Sequence, residues 1–232
     1  SDGVTAVSES LREDTVRELG VKRRIDVIPN FVDCGIYRRR DVTALRARLA
    51  PDGQPVLIHV SNFRPVKQVS AVVEVFARIR ARIRAKLLMV GDGPDLPEAS
   101  RLAKALGVGD DVEFLGAQDQ VVPLLSAADV FLLPSIQESF GLAALESMSC
   151  EVPVVASAVG GVPEVVGRQG REFLCAPNDL DGMAAVTLRL LTDPAYHQAT
   201  AEAARTAVRE HFCDAKIVPL YERCYEDSLS KA

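Results

Sequence analysis

The chain has 232 residues, a formal charge of −5 and 48% hydrophobic residues, enough apolar material for one large or two small domains with a core. Mild acidity gives nucleic acid no electrostatic footing. No apolar run approaches the roughly 20 residues that span a bilayer, and no signal-peptide pattern opens the chain, so a cytoplasmic protein without a transmembrane segment is expected. The five cysteines, Cys34, Cys150, Cys175, Cys213 and Cys224, show neither C-x-x-C pairing nor metal-ligand spacing and read as reduced intracellular thiols. His59, His197 and His211 lack zinc spacing as well, and no metal site is expected.

In chain order, Gly3-Val4-Thr5-Ala6-Val7-Ser8 reads as a lone strand, followed by a helix over 9–19, a strand-like stretch over 25–28 and a turn at Pro29-Asn30. A single strand and helix cannot bury a core, so residues 1–24 read as the remnant of another domain. Arg38-Arg39-Arg40 reads as a solvated loop. From about residue 55, short β-branched runs alternate with amphipathic stretches. Strands are predicted at 56–60, 86–90, 112–115, 130–133, 154–156 and near 173–175. Helices are predicted at 69–84, 96–106, 121–127, 142–149, near 163–166 and at 180–191. After a break at Asp193-Pro194, two more follow at 195–210 and 215–229. Apolar strands alternating with helices imply an α/β fold, a Rossmann-like parallel sheet with helices on both faces. Ligands of such folds bind at the carboxyl ends of the strands, where every notable motif here falls.

The most informative motif is Ser135-Ile136-Gln137-Glu138-Ser139-Phe140-Gly141-Leu142-Ala143-Ala144-Leu145-Glu146. It places a glutamate in a turn after a strand, then a glycine, then a helix with a second glutamate eight positions on. Free amides at a helix start attract phosphate, and glycine admits a ligand close to the backbone. Two carboxylates beside an anion site suit a ligand that also carries hydroxyls, as a sugar nucleotide does. The alternative is that Glu138 caps the helix and Glu146 is a solvated surface residue. Ser61-Asn62-Phe63-Arg64-Pro65-Val66-Lys67 would set Arg64 and Lys67 at the same sheet edge, as diphosphate ligands or as a solvated basic loop. Gly91-Asp92-Gly93-Pro94 signals a tight turn, and Gly160-Gly161-Val162-Pro163-Glu164 a corner that borders a sugar pocket or is purely structural. The dinucleotide and P-loop fingerprints are missing, which argues against hydride transfer and ATP hydrolysis. His59, in an apolar strand, reads as a packed core residue.

These motifs, with Ile28-Pro29-Asn30-Phe31-Val32-Asp33, occur in an order that resembles the donor-binding C-terminal half of the retaining GT-B glycosyltransferases of family 4. The resemblance spans nearly the whole chain. Within the family, the Ser61–Lys67 and Glu138–Leu142 motifs look most like the members that transfer N-acetylglucosamine from UDP to L-malate in bacillithiol biosynthesis. The resemblance implies catalytic roles for Arg64 and Lys67 on the donor diphosphate and for Glu138 on the sugar hydroxyls, with Glu146 on the ribose. Asn62, Gly91 and the backbone of Ser139, Phe140, Gly141 and Leu142 would border sugar and phosphate, and the loop from Gly116 to Gln118 the uracil. It implies no cofactor and no metal for the chemistry. Retention would come from front-face attack, with Glu138 positioning rather than acting as nucleophile.

The resemblance divides the chain into a remnant of the acceptor domain and linker (1–24), a donor-nucleotide domain (25–210) and a crossover helix (211–232). The expected partners are a UDP-sugar, the missing acceptor domain, a small-molecule or glycan acceptor and, for some relatives, a second copy in a homodimer. The isolated chain is expected to bind UDP but turn over slowly or not at all. Without the missing half, Ile217, Leu220 and Tyr221 would form an exposed patch, unless they pack in an ordinary core. The family usually has glycine at the positions of Glu151 and Glu172, so positive φ is expected to strain both. A sugar-nucleotide epimerase and a noncatalytic nucleotide-binding module are the competing functions. The carboxylate pair with Arg64 and Lys67 favours the transferase.

Overall fold

A computed structural model describes residues 3–230. The chain opens with strand β1 (Thr5–Ala6), helix α1 (Glu9–Leu19) and strand β2 (Asp26–Val27), and the two strands pair in parallel. Helix α2 (Thr43–Leu49) leads into β3 (Val56–Val60), a 3-10 turn (Pro65–Lys67) and α3 (Val69–Arg80). Next come β4 (Lys86–Val90), α4 (Leu96–Ala105), β5 (Val112–Gly116), α5 (Val122–Ala127), β6 (Val130–Leu133) and α6 (Leu142–Ser149). The remainder is β7 (Val154–Ser157), α7 (Val162–Val165), β8 (Leu174–Cys175), α8 (Leu180–Thr192), α9 (Pro194–His211) and α10 (Asp214–Leu229).

The six strands β3 to β8 form one sheet in the order β5-β4-β3-β6-β7-β8, and every neighbouring pair is parallel. The central strands are apolar on both sides: every residue of β6 and β7 is buried. Helices therefore cover both faces, α3 alone burying Val69, Ala71, Val72, Val73, Val75, Phe76 and Ile79. From β3 the chain builds outward through β4 to β5, then returns to lay β6 on the other side of β3. The carboxyl ends of β3 and β6 thus flank the point where strand order reverses, where the crossover loops diverge and leave a crevice.

Local chemistry explains most element ends. Asp193 accepts from the Tyr196 amide at 3.0 Å and Pro194 occupies the first helical position, which starts α9 at the expected break. Helix α3 ends at Arg80, short of the expected residue 84, where the Arg82 amide bonds the Ile79 carbonyl three residues back at 2.9 Å and tightens the last turn. Helix α2 is not among the elements expected from the sequence. It is seven residues long and is held by polar contacts: Arg46 donates to Asp129 at 2.7 Å, and Asp129 also accepts from the Val56 amide at 2.7 Å.

The structure corrects two expectations and decides a third that the sequence left open. Cys34 and Cys213 are disulfide-bonded, with Cα atoms 5.7 Å apart, so two of the five thiols are not free. Spacing could not show this, because the pair is 179 residues apart in sequence and is brought together where Val32 bridges the start of α10. Glu151 does take positive φ (61°), but Glu172 does not: it lies in a 3-10 turn (Arg171–Phe173) while Gly170 takes the unusual geometry at φ 152°. On α10, Ile217 is buried and the Tyr221 hydroxyl donates to the Ile28 carbonyl at 3.3 Å, whereas Val218, Tyr225 and Leu229 are the exposed apolar residues. No described helix is long and apolar enough to cross a membrane.

Candidate active site at the strand-order reversal

The loop after β3 and the loop after β6 meet. Lys67 Nζ lies 2.6 Å from Glu138 Oε1, and the Ser135 hydroxyl donates to the same oxygen at 3.1 Å. With side-chain exposures of 21% and 11%, the pair is largely withdrawn from water, so each charge depends on the other. The Ile136 amide also donates to the Val66 carbonyl at 2.9 Å, tying the loops by backbone. Glu138 therefore caps no helix. Helix α6 begins at Gly141 (φ 94°), which offers no side-chain cap and leaves first-turn amides for an anion.

The turn that presents Arg64 and Lys67 is bracketed by two left-handed residues, Phe63 (φ 42°) and Gln68 (φ 53°). Such backbone costs on the order of 1–3 kcal/mol per residue and persists where packing over-determines it. Here the Phe63 side chain is wholly buried. Arg64 is exposed, with no ion-pair partner among the described residues. Behind the pair, His59 joins β3 to β6: Nδ1 donates to the Leu132 carbonyl and Nε2 accepts from the Ser61 hydroxyl, both at 2.8 Å. Burial pushes its pKa down to about 4, so the ring is neutral and structural.

The glycine motifs serve close backbone contact. A Cβ on Gly91 would stand 1.8 Å from the Ser61 carbonyl oxygen, and one on Gly93 would stand 2.2 Å from that of Asn62. The 91–94 turn is therefore packed under the Asn62 loop. Gly160 meets the Glu138 carbonyl oxygen in the same way, at 1.8 Å. Of the remaining expected residues, Asn62, Ser139 and Leu142 are exposed at the crevice. Phe140 is buried edge-on against Phe212, so only its backbone can reach a ligand. Gly116 accepts from the Gly91 amide at 2.8 Å, and Gln118 donates to the Leu115 carbonyl at 2.7 Å.

Glu146 is not a solvated surface residue. It is partly buried on α6, beside the Tyr37 hydroxyl, whose polar influence reaches its carboxylate. Burial pushes its carboxyl pKa up, against the lowering influence of Tyr37, while burial and the Glu146 charge push Tyr37 up to about 12. Tyr37 also lines a cleft of about 400 Å³ with Ile36, Arg40 and residues 119–123, beside the Gly116–Gln118 loop. Sequence reasoning missed Tyr37, since no local signal links it to a helix more than a hundred residues away. A larger cavity of about 540 Å³ lies towards the amino ends of the central strands β3 and β6, beside Arg46 and Asp129, and shares Arg40 with this cleft.

Residues 41–207 match the family model of glycosyl transferases group 1. N-acetyl-alpha-D-glucosaminyl L-malate synthase of Bacillus anthracis is 44% identical over 230 residues, which are 99% of this chain and 60% of that protein. D-inositol 3-phosphate glycosyltransferase of Segniliparus rotundus is 39% identical over 155 residues, 63% of this chain and 34% of that protein. The chain thus spans less than two thirds of the length of either curated relative. Sucrose-phosphate synthase from Thermosynechococcus elongatus superposes with a TM-score of 0.88 at 28% identity, over 100% of this chain and 59% of that one. Anabaena HepE, solved in complex with UDP and glucose, superposes at 0.89 with 24% identity, over 100% and 64%. The fold is that of the GT-B glycosyltransferases, and the chain belongs to the glycosyl transferases group 1 family.

Proposed function

We propose that this chain is the donor-binding portion of a retaining hexosyltransferase, taking a sugar from UDP, with N-acetylglucosamine the favoured sugar and L-malate the favoured acceptor. The observation that supports it most directly is the Lys67–Glu138 pair at the strand-order reversal, 2.6 Å across and beside the uncapped start of α6. The choice of sugar and acceptor rests on the 44% identity to the Bacillus anthracis L-malate synthase. In this reading residues 25–210 hold the donor, residues 1–24 belong with the acceptor half, and 211–232 cross back towards it.

The parts divide by charge. Arg64, Lys67 and the α6 amides meet the diphosphate, whose negative charge grows as the bond to the sugar anomeric carbon breaks. The acceptor hydroxyl oxygen bonds to that carbon from the same face, and its proton passes to a diphosphate oxygen. Glu138, already anchored by Lys67 and Ser135, orients sugar hydroxyls. Glu146 accepts from the ribose hydroxyls with Tyr37 alongside, and the cleft by Gln118 holds the base.

Calorimetric titration with UDP, GDP and ADP tests this reading. UDP is expected to bind preferentially, with Arg64→Ala and Glu146→Ala each weakening it about tenfold or more, the loss of a charge-assisted bond. An Arg64→Ala protein that binds UDP like the parent removes the diphosphate assignment.

A further inference from the structure

The amino end of α1 is sealed by its own Ser8 and by Glu164 of α7. Glu164 accepts from the Glu9 and Ser10 amides through separate carboxylate oxygens, each at 3.0 Å. Ser8 is wholly buried, and its hydroxyl accepts from the Leu11 amide at 3.1 Å while donating to the Ser139 carbonyl at 2.7 Å. That hydroxyl thereby uses its only proton, so its bond to Ser139 cannot be re-made elsewhere without loss.

The same short loop is gripped from the other side. The Gly161 amide donates to the Glu138 carbonyl at 3.1 Å. A Cβ on Gly161 would stand 2.4 Å from the Ser139 carbonyl oxygen and 2.9 Å from the Ser8 Cβ, although Gly161 has an ordinary φ of −78°. Glycine is required there by crowding alone. The residue whose side chain pairs with Lys67 and the carbonyl held by Ser8 are thus sequence neighbours, and no apolar cushion separates them. By contrast, α1 itself has no fully buried residue. The helix meets this part of the molecule through its polar end.

We propose that Ser8 and Glu164 are positioning residues, which lock the 138–141 loop to α1 so that the segment ahead of the donor domain sets the shape of the sugar side of the site. This rests on the reading above that the loop meets the donor sugar. A displacement of α1 reaches Glu138 through one peptide unit. The segment and the sugar-contacting loop move together, while Arg64, on the separate loop after β3, keeps its place at the diphosphate.

The test compares the chain with its Ser8→Ala, Ser8→Thr, Glu164→Gln and Gly161→Ala variants by amide hydrogen exchange without ligand and by titration with UDP and UDP-N-acetylglucosamine. In Ser8→Ala, exchange of residues 138–142 is expected to rise about tenfold or more while that of Val130–Leu133 holds. UDP affinity is expected to stay within about twofold, and that for UDP-N-acetylglucosamine to fall about fivefold or more. Ser8→Thr restores both, because it keeps the hydroxyl. Gly161→Ala reproduces the loss without deleting a hydrogen bond, and Glu164→Gln, which keeps one acceptor oxygen, falls between. Unchanged exchange at 138–142, or equal loss for the two nucleotides, overturns the proposal. If the parent chain binds neither nucleotide, the donor-site reading fails, and the exchange result alone then decides the coupling. If Ser8→Ala does not fold, Gly161→Ala and Glu164→Gln carry the same comparison.

Discussion

His59 shows how a residue can sit at a site without taking part in its chemistry. Its ring spans the two strands at the reversal, and full burial holds its pKa down to about 4 from an ordinary 6.5. The unfolded chain then binds a proton that the folded chain refuses between these values. Stability contributed by the neutral ring is complete above pH 6.5 and is lost as pH falls towards 4, a total of about 3 kcal/mol. Glu146, whose carboxyl is raised by burial, works with the opposite sign and offsets part of it. Urea midpoints from pH 7 to 4.5 are expected to fall more steeply for the parent than for His59→Gln, and parallel curves would exclude His59 as the source. Lys67→Ala strands the Glu138 carboxylate in a largely buried position and is expected to cost about 1–3 kcal/mol, between exposed and buried pairs. Lys67→Met combined with Glu138→Gln should recover much of that stability but none of the donor binding, which separates the structural from the functional share of the pair.

At the scale of elements, the strand-to-helix corners decide what the crevice looks like. The Gly160 corner adopts φ 51° and lies against the Glu138 carbonyl, so an alanine there meets both backbone strain and a clash. Gly160→Ala is expected to cost about 2 kcal/mol or more and to weaken UDP-sugar binding through the displaced loop. Glu151, after α6, holds φ 61° without glycine's freedom, and its side chain is ion-paired with Arg205. Relief of left-handed strain exceeds the worth of a half-exposed pair, so Glu151→Gly is expected to raise stability by about 0.5–1 kcal/mol. Thermal melts of Glu151→Gly and Arg205→Ala read the two terms separately, and a lower melting temperature for the glycine variant would reverse the order assigned here.

Across the whole molecule, the Cys34–Cys213 bond ties the turn that presents Tyr37 to the first residues of α10. Tyr37 is held in place as well by Ser149, whose hydroxyl donates to the Tyr37 carbonyl at 2.5 Å, one helical turn from Glu146. The crosslink closes a loop of 179-residue separation, and the chain-entropy estimate for it is about 5 kcal/mol as an upper value. Reduction is therefore expected to lower the melting temperature by several degrees or more, at about 2–4 °C per kcal/mol for a chain this size. Cys34→Ser should reproduce the reduced value and abolish the response to reductant, whereas Cys224→Ser, which removes a free thiol, should not.

By itself the sequence determined the class of fold and the order of its parts. The run Val130–Leu133, between helical stretches, reads as a strand buried on both faces, and glycine at 141 followed by leucines at helical spacing as the start of a helix beyond the strand's carboxyl end. The motifs could be ordered for the same reason: each is a local conformational requirement written in adjacent residues. Tertiary structure alone decided which motifs touch. Lys67 meets Glu138, Tyr37 meets Glu146, Ser8 meets Ser139 and Cys34 meets Cys213 because β6 returns beside β3 and α10 returns to the 28–34 segment. Those meetings depend on strand order and on the path of the chain between layers, and contacts across such separations leave no periodicity in the residues that make them.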